Sequence, residues 1–130
     1  MPKASFVSVV DDDQFFRAST TRLVTSLGYT VEDFASAADF LVSPRLAETA
    51  CLIADVHMPT MTGVELYKHL VDVGYAIPTI IVTGRPDDGE RARALSDGVV
   101  CYLGKPISEE CLVRCLDLAL QSGEPQDEDS

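Results

Sequence analysis

The chain has 130 residues, 46% of them hydrophobic, and a formal net charge of -11 from 21 acidic and 10 basic side chains. That length supports one well-packed core and is too short for two full domains. The charge repels a nucleic-acid backbone, which makes the chain a poor DNA or RNA contact, and no apolar stretch is long enough to span a bilayer.

Only Lys3 precedes the first apolar run, without the apolar stretch of a signal peptide. Residues 6–10 form a short β-branched run that stops at Asp11, Asp12 and Asp13. Residues 14–27 then place Phe16, Leu23, Val24 and Leu27 at helical spacing, and Gly28 ends that helix. A second strand is expected over 29–34. Ser36 can cap the next helix, with Asp39 three residues on as an approximate capping box. Phe40, Leu41 and Leu46 supply its buried side, and Pro44 breaks it.

Residues 51–54 are continuously apolar and end at Asp55. The helix over 63–73 offers Val64, Leu66, Leu70 and Val71 to the core, and Gly74 closes it. A fourth strand over 77–82 ends at Thr83. A shorter, more exposed helix over 87–95 carries Glu90, Arg91 and Arg93. Gly98 precedes a fifth strand over 99–103. Ser108 caps a last helix reaching about Leu120, with Leu112, Leu116 and Leu120 on one side. Residues 122–130 are acidic and lack apolar side chains, so residues 1–121 form the domain and 122–130 a disordered tail or the start of a linker.

Five strands alternate with helices, and several are apolar throughout. This is the pattern of an α/β fold, an open doubly wound parallel sheet with helices on both faces. Cys51, Cys101, Cys111 and Cys115 make no CxxC, and the two histidines lie far from Cys111 and Cys115. They read as small hydrophobes in a reducing, cytoplasmic compartment.

In a parallel sheet the carboxyl ends of the strands share one edge, where sites form. Asp11, Asp12, Asp55, Thr83 and Lys105 all follow strand ends, so they are expected in one pocket. Clustered carboxylates raise one another's pKa unless a cation intervenes. A hard ion with oxygen ligands suits them: Mg2+, with Mn2+ as its substitute. Asp12 and Asp55 are the direct ligands, Asp11 holds a metal-bound water, and the backbone carbonyl of His57 adds a further ligand. Asp55 is the nucleophile, able to form an acyl phosphate. The metal and Lys105 neutralise the transferring oxygens, and Thr83 donates its hydroxyl to them. Gly84 leaves room for a phosphoryl group. Pro106 fixes the chain after Lys105, for which a cis Lys105–Pro106 bond is one route.

The run Val9-Val10-Asp11-Asp12-Asp13 is followed by Asp55-Val56-His57-Met58-Pro59-Thr60-Met61-Thr62-Gly63, then Val82-Thr83-Gly84 and Tyr102-Leu103-Gly104-Lys105-Pro106. Together they resemble the receiver domain of bacterial two-component response regulators, over about residues 6–120. The resemblance implies a flavodoxin-like sheet in the order 2-1-3-4-5. It implies that Asp11 and Asp12 serve the metal and that Asp55 takes a phosphoryl group from the phosphohistidine of a sensor histidine kinase or phosphotransfer protein. It also implies that Thr83 is the switch hydroxyl, Lys105 the phosphate-binding ammonium and Tyr102 the aromatic switch. From its own position, Tyr102 reads equally as a half-buried core aromatic with its hydroxyl at the surface.

Residues 28–41 are similar to a subgroup whose members usually carry a C-terminal helix-turn-helix output domain, so output through an attached or separate domain, and dimerisation on phosphorylation, are expected. The interaction surface is then the last two helices and the fifth strand. Such a domain is not a conventional enzyme. Its expected chemistry is magnesium-dependent self-phosphorylation from a phosphodonor and slow self-dephosphorylation. Cys101 and Gly104 depart from the common pattern, and Gly104 adds backbone freedom beside the ammonium. Arg85, with His57, is expected to influence how fast water reaches the acyl phosphate. Two competing classes are a phosphohydrolase with an aspartyl intermediate and an adaptor with a vestigial pocket. The first lacks a second carboxylate two residues past Asp55, where His57 stands, and has no lid insertion. Failure to bind magnesium would favour the second.

Overall fold

The computed structural model describes residues 5–122; most of the segment expected to be a tail lies outside them. Strands and helices alternate as β1 (Phe6–Val10), α1 (Gln14–Ser26), β2 (Thr30–Phe34), α2 (Ala37–Leu41), β3 (Cys51–Asp55), α3 (Gly63–Asp72), β4 (Thr79–Thr83), α4 (Asp88–Asp97), β5 (Cys101–Gly104) and α5 (Glu109–Ser122). A single 3-10 turn at Leu46–Glu48 links α2 to β3. The five strands pair in parallel in the order β2-β1-β3-β4-β5. The expected fold class and strand order are both present.

The continuous apolar runs have a direct cause. Every residue of β1, β3 and β4 is buried, because helices cover both sheet faces. Alternate side chains feed two cores. Leu52, Ala54 and Ile81 join Phe40, Leu66 and Leu70 on one side. Cys51, Ile53, Ile80 and Val82 join Val24, Leu112 and Leu116 on the other.

Short polar side chains set the helix starts. Asp13 accepts the Phe15 and Phe16 amides at α1. Ser36 caps α2 through the Asp39 amide, and Ser108 accepts the Cys111 amide at α5. The full reciprocal capping box is at α3, between Thr62 and Glu65.

Several boundaries shift from the sequence expectation, for local reasons. β4 begins at Thr79 rather than at residue 77, since Pro78 has no N–H and contributes only a carbonyl, which accepts from Leu52. β5 begins at Cys101 rather than at residue 99. Gly98 sits at φ +114° and the Val99 amide still closes α4 by bonding the Ala94 carbonyl, so Val99 belongs to the helix stop. α5 runs to Ser122, beyond the expected end near Leu120. Val71, expected in the core, is 50% exposed. Leu66 and Leu70, one turn apart, already fill the buried stripe of α3, and Val71 turns about 100° away from it. On α5 the buried stripe is Leu112, Cys115, Leu116 and Ala119, with Leu120 at its edge.

Candidate functional site

β1, β3, β4 and β5 deliver their last residues to one edge. The pairing of Asp55 with Val82 and of Thr83 with Gly104 aligns three of those ends. Asp11, Asp12 and Asp55 each offer a carboxylate oxygen, and these atoms lie within 4.8 Å of one another. The Lys105 ammonium stands 3.1 Å from Asp11 Oδ2 and 3.6 Å from Asp55 Oδ1. Asp11 and Asp55 are buried and Asp12 is exposed. The convergence expected from strand ends is therefore present for all four side chains.

The acidic triplet divides by role. Asp13 turns its side chain to the start of α1. Its own amide donates to Asp11 Oδ1 at 2.9 Å, fixing that carboxylate from behind. Asp11 Oδ2 is buried and faces the Lys105 ammonium at 3.1 Å. Burial, chiefly, raises the Asp11 pKa, against the Asp13 amide and Lys105. Asp55 is pushed up to about 6, first by burial and then by the Asp11 charge, with Lys105 opposing.

Three carboxylates against one ammonium leave an excess of negative charge at the cluster. Such a donor set fits a hard divalent cation that accepts oxygen ligands. Among the described residues no other group of His, Cys, Asp and Glu side chains is gathered this way. His57 lies just beyond Asp55. Its amide favours the charged carboxylate, while its exposed side chain borders a cleft with Lys68, Glu90 and Arg93.

Gly63 explains the spacing of its motif. A Cβ there would lie 2.4 Å from the Asp55 carbonyl oxygen, so α3 can start against the strand end only with glycine. Gly84 has open space, with Lys105 Cδ the nearest atom at 4.0 Å. Gly104 serves differently from the expected backbone freedom: a Cβ there would meet Pro86 at 2.9 Å, so it admits the β4–α4 loop. The Lys105–Pro106 bond is cis, and the Lys105 amide donates to the Thr83 carbonyl at 2.8 Å.

Thr83 is fully buried, and its hydroxyl accepts from the Arg85 amide at 3.0 Å. Arg85 itself is exposed. Tyr102 is 7% exposed, its hydroxyl donating to Glu90 and accepting from the Asp87 amide at 3.2 Å. The ring is thus inside, and its hydroxyl is tied to the cap and first turn of α4.

Three contributors were not assigned to the site from the sequence. Arg17 donates to the Asp11 carbonyl at 2.7 Å and pairs with Asp33 at 3.0 Å, tying the end of β1 to β2. Phe16 presents its ring face to the Lys105 ammonium, 4.0 Å from the ring centroid. Glu90 holds Tyr102. The spacing of Phe16 signalled only a core position. All four cysteines are free; burial raises the Cys51 thiol and pushes Cys115 up to about 12, which makes both inert.

The profile of the family described as "Response regulator receiver domain" matches residues 7–117. The chain belongs to that family. It is similar to the response regulator protein TodT of Pseudomonas putida, 35% identical over 119 residues that make up 92% of this chain and 52% of TodT. It therefore spans about half the length of the curated relatives it matches. The crystal structure of FixJ-N superposes with a TM-score of 0.81 at 30% identity, covering 93% of this chain and 96% of that one. The Vibrio cholerae chemotaxis protein CheY4 gives 0.80 at 28% identity, covering 90% and 99%. The acidic cluster is typical of the phosphoacceptor site of receiver domains. No helix among the described residues is long and apolar enough to cross a membrane.

Proposed function

We propose that this receiver relays a signal by accepting a phosphoryl group on Asp55 from the phosphohistidine of a sensor histidine kinase or phosphotransfer protein. The observation that carries the reading is the gathering of Asp11, Asp12 and Asp55 within 4.8 Å, with the Lys105 ammonium 3.6 Å from Asp55. An Asp55 oxygen forms the new bond to phosphorus as the bond to the donor imidazole breaks. The electron pair goes to the imidazole nitrogen, which regains a proton from solvent. Asp12 and Asp55 would hold Mg2+ (or Mn2+) directly, Asp11 would do so through water, and the His57 carbonyl would add a further ligand. A bound ion would supply positive charge to offset the negative charge of the transferring oxygens.

Lys105 offsets the added negative charge. Thr83 accepts from the Arg85 amide, yet a hydroxyl can donate at the same time. Its proton is free for a phosphoryl oxygen, and the β4–α4 loop follows. Tyr102, bonded to Asp87 and Glu90, passes that shift to α4. The face of α4, β5 and α5 then binds a downstream partner or a second copy, a two-state equilibrium biased by one local contact. Gly84 admits the phosphoryl group, Pro106 sets the chain after Lys105, and Arg85 and His57 govern the approach of water.

The similarity to TodT and to the transcriptional regulatory protein FixJ supports a transcriptional output, through an attached or separate helix-turn-helix domain in the cytoplasm. The acidic receiver itself does not contact DNA. The test is labelling from acetyl phosphate. Wild type should label only with magnesium, and Asp55→Asn should not label. Full labelling of Asp55→Asn would overturn the assignment.

A further inference from the structure

The Lys105 side chain is largely buried, 17% exposed. Its ammonium has three recorded partners: Asp11 Oδ2 at 3.1 Å, Asp55 Oδ1 at 3.6 Å and the Phe16 ring face at 4.0 Å. The two carboxylates are also the groups that a divalent cation and a phosphoryl group would engage. A second positive charge at the cluster repels the ammonium and competes for both oxygens. The ring competes for nothing. An ammonium over an aromatic face is held by the ring's negative quadrupole, more strongly where water is excluded.

Phe16 is itself well placed to do this. Its amide donates to the Asp13 carboxylate that starts α1. Its ring is partly buried against the core on the α1 and α5 side. An aliphatic side chain at the same place would fill the space without attracting the ammonium. We propose that Phe16 is a positioning residue: its ring face keeps the Lys105 ammonium at the carboxylate cluster when a cation takes the oxygens that otherwise hold it. The proposal rests on the acceptor reading of Asp55 for its purpose, but its geometry can be tested separately.

The chain has three lysines, Lys3, Lys68 and Lys105, so their ε-methylene signals are separable by NMR. One should be shifted upfield by the Phe16 ring current, and Phe16→Leu should return it to the position of the other two. A graded series then replaces Phe16 with mono-, di- and trifluorinated phenylalanine, which keeps the ring's shape while withdrawing its negative face. Magnesium affinity, measured by calorimetry, should rise stepwise, reaching about fivefold, because an ammonium no longer held by the ring can move away from the ion. The thermal midpoint should fall by no more than a few degrees, as expected for a contact of this strength. Phosphorylation by acetyl phosphate should slow in the same order.

A ring with no upfield partner, or a magnesium affinity flat across the series, would overturn the role of Phe16. Wild-type protein that binds magnesium in a ring-dependent way yet takes no label would leave Phe16's role standing and overturn the acceptor reading.

Discussion

Replacing Asp55 with asparagine should stabilise the metal-free protein at neutral pH, although it destroys the acceptor. Asp55 is about 95% buried beside Asp11, and its carboxyl is pushed from 3.8 to about 6. A rise of that size is equivalent to about 3 kcal/mol between the protonated and ionised forms. Because the folded pKa lies above the unfolded one, the folded state binds more protons, and stability falls as pH rises. The stabilising contribution is present in full below the unfolded value near 4 and is lost as pH passes the folded value near 6. At pH 7.5 the wild type therefore carries a cost that asparagine, of the same shape and without charge, does not. Urea unfolding in EDTA, followed by circular dichroism from pH 4.5 to 8, measures this. Asp55→Asn should gain roughly 2–3 kcal/mol at the upper end and little at the lower. Magnesium should narrow the gap by stabilising only the wild type. Equal or lower stability of Asp55→Asn at pH 7.5 would refute the claim that burial and Asp11 destabilise the ionised carboxylate.

Other substitutions probe the supports of the site. Gly63→Ala drives a methyl to 2.4 Å from the Asp55 carbonyl oxygen; it should cost about 1–3 kcal/mol in urea unfolding and slow labelling by acetyl phosphate. Asp13→Ala removes the cap of α1 and should cost about 1 kcal/mol with magnesium affinity nearly unchanged, whereas Asp12→Ala should weaken magnesium binding with little change in stability. Tyr102→Phe leaves the Asp87 amide and Glu90 without their shared partner; it should cost about 1–2 kcal/mol, seen as faster hydrogen exchange in the first turn of α4.

Much of this was legible in the chain because strand ends carry position. A parallel sheet sends Asp11, Asp55, Thr83 and Lys105 to one edge whatever the helices do, so chemistry could be assigned before packing was known. The features that the chain left open depend on distances between segments far apart in sequence. Phe16 and Val71 both fit helical stripes. Only the packed structure turns one toward an ammonium and the other toward solvent. Gly104 looked like a source of freedom because Pro86, its actual neighbour, is eighteen residues away in sequence. Asp12 and Asp13 are chemically identical neighbours, and only the start of α1 separates a cluster member from a cap. Arg17 gave no signal, since its partners Asp11 and Asp33 belong to different strand ends.

The central claim is that Asp55 carries the phosphoryl group. Borohydride reduction converts a phosphorylated aspartate to homoserine, so peptide mass spectrometry after treatment with acetyl phosphate and magnesium reads the position directly. Homoserine at position 55 alone, absent when EDTA replaces magnesium, is the expected result. Homoserine at another aspartate, or none in folded protein that binds magnesium, would contradict it.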